Sequence, residues 1–237
     1  MPPLPLQVEP DAAALMRAAA ALTTREARRS VEERGVFHLA VSGGRTPSTL
    51  FFLLARLKEE ELPWSRTHVY WADERRVPPD HPESNYRLFR ELFLKERPLP
   101  DAQVHPFPTG DASLYEACLP ERLDLALLGL GEDGHTASLF PGSPALTAAG
   151  RTAVSRSPQG VKDRATLSVP YLNASRAVVF LVSGAAKADI LREVLAGSEP
   201  PERVPAKLIR PTEGRLLYLA DREAAAKLRG RPGRITG

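Results

Sequence analysis

An α/β fold is predicted, a single domain built on a mostly parallel sheet with helices on both faces in the Rossmann-like manner. Three observations predict it. Several short segments are apolar throughout instead of alternating, as strands covered on both faces are. Helix-forming stretches alternate with them. Small and polar residues gather where each strand runs out, the edge at which open α/β sheets hold their ligands.

The elements follow in order. Asp11 to Arg34 opens on an N-cap residue, is rich in Ala, Arg and Glu, and stops at Gly35, so it reads as helix. Val36 to Val41 is a short apolar strand broken by Ser42-Gly43-Gly44. Thr46-Pro47 supplies a cap and a first-turn proline for a helix over Ser48 to Glu61. Thr67 to Trp71 is a second strand, released into the charged run Asp73-Glu74-Arg75-Arg76. Ser84 to Glu96 reads as helix and Pro98 to Gly110 as a proline-rich loop. Leu123 to Leu130 and Ala177 to Val182 are the third and fourth strands, the latter followed by a helix over Ala185 to Ala196. Leu216 to Leu219 closes the sheet, with Asp221 capping a terminal Ala-rich helix. Residues 1–237 therefore form one domain, with 229–237 a frayed basic tail.

Composition narrows the function classes. A 237-residue chain with 43% hydrophobic and 26% charged residues has an ordinary globular composition, which excludes wholesale disorder. A net charge of +3 is too small an excess on this length to point to nucleic acid, and no nucleic-acid partner is expected. The single cysteine, Cys118, cannot form an internal disulfide; a buried bystander is expected there. Met1 to Asp11 has neither the basic nor the apolar region of a secretory leader. The longest apolar runs fall far short of a membrane span, so a cytoplasmic protein with no membrane partner is expected. The basic residues are 26 Arg to 6 Lys, Pro reaches 23, and only two Asn occur, a balance that suggests a heat-adapted source.

The strand ends carry the chemistry. Ser42-Gly43-Gly44-Arg45-Thr46 lies between a strand and a helix start, where glycines admit an anion to backbone amides and hydroxyls add donors. It lacks the spacing of a Walker loop, and a plain tight turn would need the same residues. Gly129-Leu130-Gly131-Glu132-Asp133-Gly134 formally fits a dinucleotide fingerprint, but its two carboxylates would repel a pyrophosphate. His135 is the stronger signal, an imidazole two residues beyond Asp133 on one short glycine-rich loop, suited to proton transfer near neutral pH. His38 and His68 read as packed or exposed bystanders in strands, and His81 and His105 as loop residues before prolines. No histidine or cysteine spacing fits a metal, and none is expected. Arg75 at a strand end suits a phosphate, a carboxylate or a developing oxyanion. Asn85 is rare enough here to suggest a need beyond capping, and Lys187 in a first helical turn is unfavourable unless an anion sits there.

Taken in order, Val41 to Pro47, Trp71 to Pro78, Ser84 to Arg87, Gly129 to Pro141, Arg164 to Ser168 and Val182 to Lys187 resemble the 6-phosphogluconolactonase family, over roughly Ala12 to Leu228. The resemblance implies hydrolysis of 6-phospho-D-glucono-1,5-lactone, a sheet shared with the glucosamine-6-phosphate deaminases, and no cofactor. It implies His135 as the general base, Asp133 as its carboxylate partner and Arg75 as the site arginine. Ser42, Gly43, Gly44, Arg45 and Thr46, with Arg164 and Lys187, would cradle the phosphate; Asp73, Glu74 and Asn85 would line the substrate. The expected partner is one small phosphorylated sugar lactone, for a monomer or small homo-oligomer. Deaminases and isomerases of this kind carry a glutamate five residues after the histidine, where this chain has Phe140. A non-catalytic sugar-phosphate sensor would need a DNA-binding appendage, for which the sheet domain leaves no room.

Overall fold

The computed structural model of the chain describes residues 5–228, so the tail expected at 229–237 lies outside the described residues. In chain order its elements begin with β1 (Leu6–Glu9), α1 (Ala12–Arg34), β2 (Phe37–Val41), α2 (Arg45–Ala55), β3 (Thr67–Trp71), β4 (Asp73–Arg75) and α3 (Asn85–Phe89). There follow β5 (Val104–His105), β6 (Leu125–Gly129), β7 (Thr152–Arg156), β8 (Asp163–Leu167), α4 (Val169–Asn173), β9 (Ala177–Val182), α5 (Ala188–Ala196) and β10 (Arg215–Asp221). Seven strands form one sheet in the order β1-β10-β9-β6-β2-β3-β5, and every neighbouring pair is parallel.

Burial on both faces fixes the central strands. Leu39, Leu125, Val178 and Phe180 are at most 1% exposed. Each such side chain contributes about 1.5–3 kcal/mol when fully buried, which outweighs any local propensity. Helix α1 has the expected ends: the Asp11 carboxylate accepts from the Ala14 amide at 2.7 Å, and Gly35 closes the helix at φ 78°. Its buried stripe includes Leu15, Ala19, Leu22 and Ala27.

Several boundaries differ from expectation. Helix α2 starts at Arg45 and takes Thr46 and Pro47 into its first turn, with Gly44 at the N-cap and no side-chain cap. It ends at Ala55 and not Glu61, because the chain turns to bury Leu62 ahead of Pro63, while the Arg28 guanidinium holds the Glu60 and Glu61 carbonyls. The charged run after β3 is itself a strand, β4, which joins β8 and β7 in a small antiparallel sheet. The loop expected over Pro98 to Gly110 contains β5, a two-residue edge strand on β3. Beyond β10, residues 222–227 form hydrogen-bonded turns where a helix was expected. Asp221 still serves as their cap, accepting from the Ala224 amide at 2.8 Å.

Candidate active site

The C-terminal ends of β2, β3, β6 and β9 open into one cavity of about 830 Å³. It is lined by the segments after those strands, including Ser42, Gly43, Gly44, Thr46, Asp73, Arg75, Gly131, His135 and Lys187. In sheet order the Lys187 segment, the His135 loop, the Ser42–Thr46 turn and the Asp73–Arg75 strand follow one another along the edge.

The His135 loop is built around close backbone approaches. Gly134 has φ 86°, and a Cβ there would press on Val204 at 2.9 Å. A side chain at Gly131 would overlap the His135 ring and the Asp133 carboxylate, so glycine is what lets the imidazole lie back on the turn. The ring is then fixed. Its Nδ1 sits 2.5 Å from Asp133 Oδ1, which also accepts from the His135 amide at 3.1 Å. Burial raises the Asp133 carboxyl, but the hydrogen bond and charge of His135 outweigh it and hold it below its ordinary value. With Nδ1–H donating to the carboxylate, Nε2 is the nitrogen able to act on a ligand. The next residues are tied down as well: Thr136 donates to the Gly129 carbonyl, and Ala137 holds a left-handed φ of 48° at the cavity wall.

The Ser42–Thr46 turn presents backbone, not its first hydroxyl. Ser42 donates to the Leu127 carbonyl at 2.9 Å, so this hydroxyl, expected as an anion donor, is committed to β6. The first N–H groups of α2 have no side-chain cap and retain their capacity for an anion. Gly43 is required because the Asn85 amide rests where its Cβ would be. The Arg45 side chain lies outside the described residues.

On the far wall, Asp73 is 8% exposed and accepts from Ser138 Oγ at 2.7 Å, while Asn85 donates to the Asp73 carbonyl at 2.9 Å. Glu74 points away from the cavity. Its carboxylate accepts from the Asn85, Tyr86 and Arg75 amides and from Ser84 Oγ, so it caps α3 and does not line a substrate; burial raises its pKa against those bonds. Arg164 faces Arg75 across the β4–β8 pair and is 6% exposed. Burial, then the Arg75 charge, lowers its pKa. Neither guanidinium has a carboxylate within salt-bridge distance among the described residues, so the pair concentrates positive charge beside the cavity. Lys187 reaches the cavity from the opposite side, 3.8 Å from the exposed Glu132.

Two further expectations change. His38, His68 and His105 are not separate residues but one cluster on adjacent strands, away from the cavity. His38 and His68 are cross-strand partners, and His68 Nδ1 lies 3.0 Å from His105 Nε2. Burial, with the neighbouring rings, lowers His105 to about 4. Cys118, expected to be buried, is exposed. Ser183 is turned inward and donates to the buried Asp221 carboxylate, a contact with no signal in the sequence.

Phe140 stands where a second carboxylate would be needed for isomerase chemistry. It is buried, with its ring centroid 4.8 Å from that of His135. The site thus holds one imidazole backed by Asp133, with the Asp73 and Glu132 carboxylates also on the wall, cations on two sides, free helix-start amides and an apolar ring against the base.

The chain is similar to proteins of known name. The family model described as glucosamine-6-phosphate isomerases/6-phosphogluconolactonase matches residues 10–218. A 6-phosphogluconolactonase of Synechocystis sp. is 42% identical over 229 residues, covering 90% of this chain and 93% of that protein. One from Nostoc sp. is 37% identical over 239 residues, covering 94% and 98%. Among solved structures, the 6-phosphogluconolactonase of Thermotoga maritima superposes with a TM-score of 0.81 at 28% identity, covering 92% of this chain and 99% of that one. The Trypanosoma brucei enzyme gives 0.82 at 27%, covering 95% and 98%.

Proposed function

Because the chain belongs to the family of glucosamine-6-phosphate isomerases and 6-phosphogluconolactonases, we propose that it hydrolyses 6-phospho-D-glucono-1,5-lactone to 6-phospho-D-gluconate, the second step of the oxidative pentose phosphate pathway. The observation that carries the choice within the family is the pairing of His135 with Asp133 on one side and Phe140 on the other. A single base with an apolar neighbour suits water activation. Ring opening followed by proton shuttling along a sugar needs a further proton acceptor; Phe140 cannot be one, and the Asp73 carboxylate on the cavity wall already accepts from Ser138 Oγ and the Asn85 side-chain amide.

In this reading His135 Nε2 takes a proton from water as the water oxygen bonds to the lactone carbonyl carbon. Asp133 holds the ring and balances the imidazolium charge. The carbonyl electrons move to oxygen, and Arg75 stabilises that oxyanion. The oxyanion then collapses, the bond from C1 to the ring oxygen breaks, and the imidazolium protonates the departing oxygen. The new carboxylic acid loses its proton to solvent. The phosphate, held by the α2 start, Thr46 and Lys187, supplies binding energy that orients the ring, while Arg164, expected in the phosphate cradle, adds positive charge beside Arg75 on the opposite wall. A lactone is reactive enough that no covalent nucleophile is required. The reading carries with it a cytoplasmic enzyme, a monomer or small homo-oligomer, and from composition a heat-adapted one.

The test is acid release from freshly prepared lactone, followed beside ammonia release from glucosamine 6-phosphate. The reading expects lactone loss well above the spontaneous rate without added metal, and no ammonia. Ammonia release without lactone loss would overturn it.

A further inference from the structure

We propose that Asp221 is a positioning residue for phosphate recognition, acting through the Ser183–Lys187 segment; the proposal rests on the lactonase reading above. Asp221 is the last residue of β10 and 2% exposed, in the sheet interior one strand from β9. The register that pairs Ala220 with Val182 brings it beside Ser183, where β9 has just ended. Its carboxylate accepts from Ser183 Oγ at 2.5 Å, from the Gly184 amide at 3.0 Å and from the Ala224 amide at 2.8 Å.

Three donors converge on this carboxylate, and no cation lies within salt-bridge distance of it among the described residues. Both carboxylate oxygens are engaged, Oδ2 by Ser183 Oγ and the Gly184 amide and Oδ1 by the Ala224 amide. An amide would turn its own N–H groups towards one of these donors, so the arrangement is specific to a carboxylate. Its use follows from what hangs on it. Gly184 has φ 93° and caps the helical segment that begins at Ala185, with no side-chain cap of its own. Asp221 thus fixes the one turn that sets where the Ala185 to Lys187 backbone and the Lys187 side chain enter the cavity. The segment is anchored from the C-terminal side too, since Lys227, in the turns that Asp221 caps, bonds Asp189 of α5. In Asp221 the sheet interior holds a phosphate-facing segment that has no strand of its own.

The inference is tested with Asp221→Asn, Asp221→Ala and Ser183→Ala, each alone and in a Lys187→Ala background, using the full chain. KM and kcat are measured on 6-phosphogluconolactone, and the dissociation constant of 6-phosphogluconate by calorimetry. Asp221→Ala is expected to raise KM and that dissociation constant together by about tenfold, the loss of one or two hydrogen bonds to a charged group, with kcat within threefold. Asp221→Asn and Ser183→Ala should give smaller shifts of the same kind, and they carry the test if the alanine variant does not fold. With Lys187 already removed, the Asp221 substitutions should change KM by less than twofold. Effects that multiply with Lys187→Ala, or a fall in kcat at unchanged KM, would mean general structural damage and overturn the proposal. A wild-type protein that hydrolyses no lactone would remove the functional reading, and this proposal with it.

Discussion

Replacing Asp133 by Asn separates what the carboxylate does by geometry from what it does by charge. The amide oxygen can still accept from His135 Nδ1 and from the His135 backbone amide, the two contacts the carboxylate makes at 2.5 and 3.1 Å, so the ring keeps its orientation. The negative charge that steadies the imidazolium is lost. A hydrogen bond to a charged group contributes about 1.5–3 kcal/mol. Asp133 is 42% exposed, and screening reduces this to about 1–2 kcal/mol, or roughly a 5- to 30-fold fall in kcat. KM should stay within twofold. Removing the base itself, in His135→Ala, should cost about 10²- to 10⁴-fold. The assay is initial-rate lactone hydrolysis at pH 7.5, with the spontaneous rate subtracted. An unchanged kcat would deny the carboxylate any part in carrying charge. A loss as large as that of His135→Ala would make Asp133 the proton acceptor and refute the assignment. The same substitution has a stability signature. The Asp133 carboxyl is lowered on folding, so its contribution is present above its ordinary value of 3.8 and is lost as pH falls below it. The Asn variant should lose less stability on acidification through that range.

Two further outcomes follow from other parts of the molecule. The His105 ring is lowered from 6.5 to about 4, so the folded state prefers it neutral and stability is lost as pH falls between those values. Discounting for its partial exposure leaves about 1–2 kcal/mol, a drop of a few degrees in Tm between pH 6.5 and 4; His105→Asn should flatten that slope, and an equal slope in both proteins would contradict it. Lys187→Ala should raise KM for the phosphorylated lactone by about tenfold or more with kcat little changed, and a selective loss of kcat would count against its phosphate contact.

The parallel sheet was legible because burial on both faces writes continuous apolar runs, and Ala177–Val182 has the predicted ends to the residue. The small antiparallel sheet was not. Thr152–Arg156 and Asp163–Leu167 mix polar and apolar residues, and the pairing of Asp163–Leu167 with Asp73–Arg75 spans about ninety residues of chain, which no local pattern encodes. Glu74 shows the same limit: as a sequence it is one of four consecutive charges, and its capping of α3 exists only once Ser84 and Asn85 return to it. The His135–Asp133 contact was readable because both groups sit on one loop. The histidine cluster was not, since His38, His68 and His105 meet only through strand register. The inward turn of Ser42 and Ser183 likewise needed the partner strands, for a Ser-Gly turn reads the same whether its hydroxyl faces ligand or sheet.

Wild type and His135→Ala, compared for both lactone turnover and 6-phosphogluconate affinity, test the account at its centre. The account predicts that the variant's kcat falls at least a hundredfold, while the product still binds within a few-fold of the wild-type affinity. A variant that hydrolyses the lactone at the wild-type rate would contradict it.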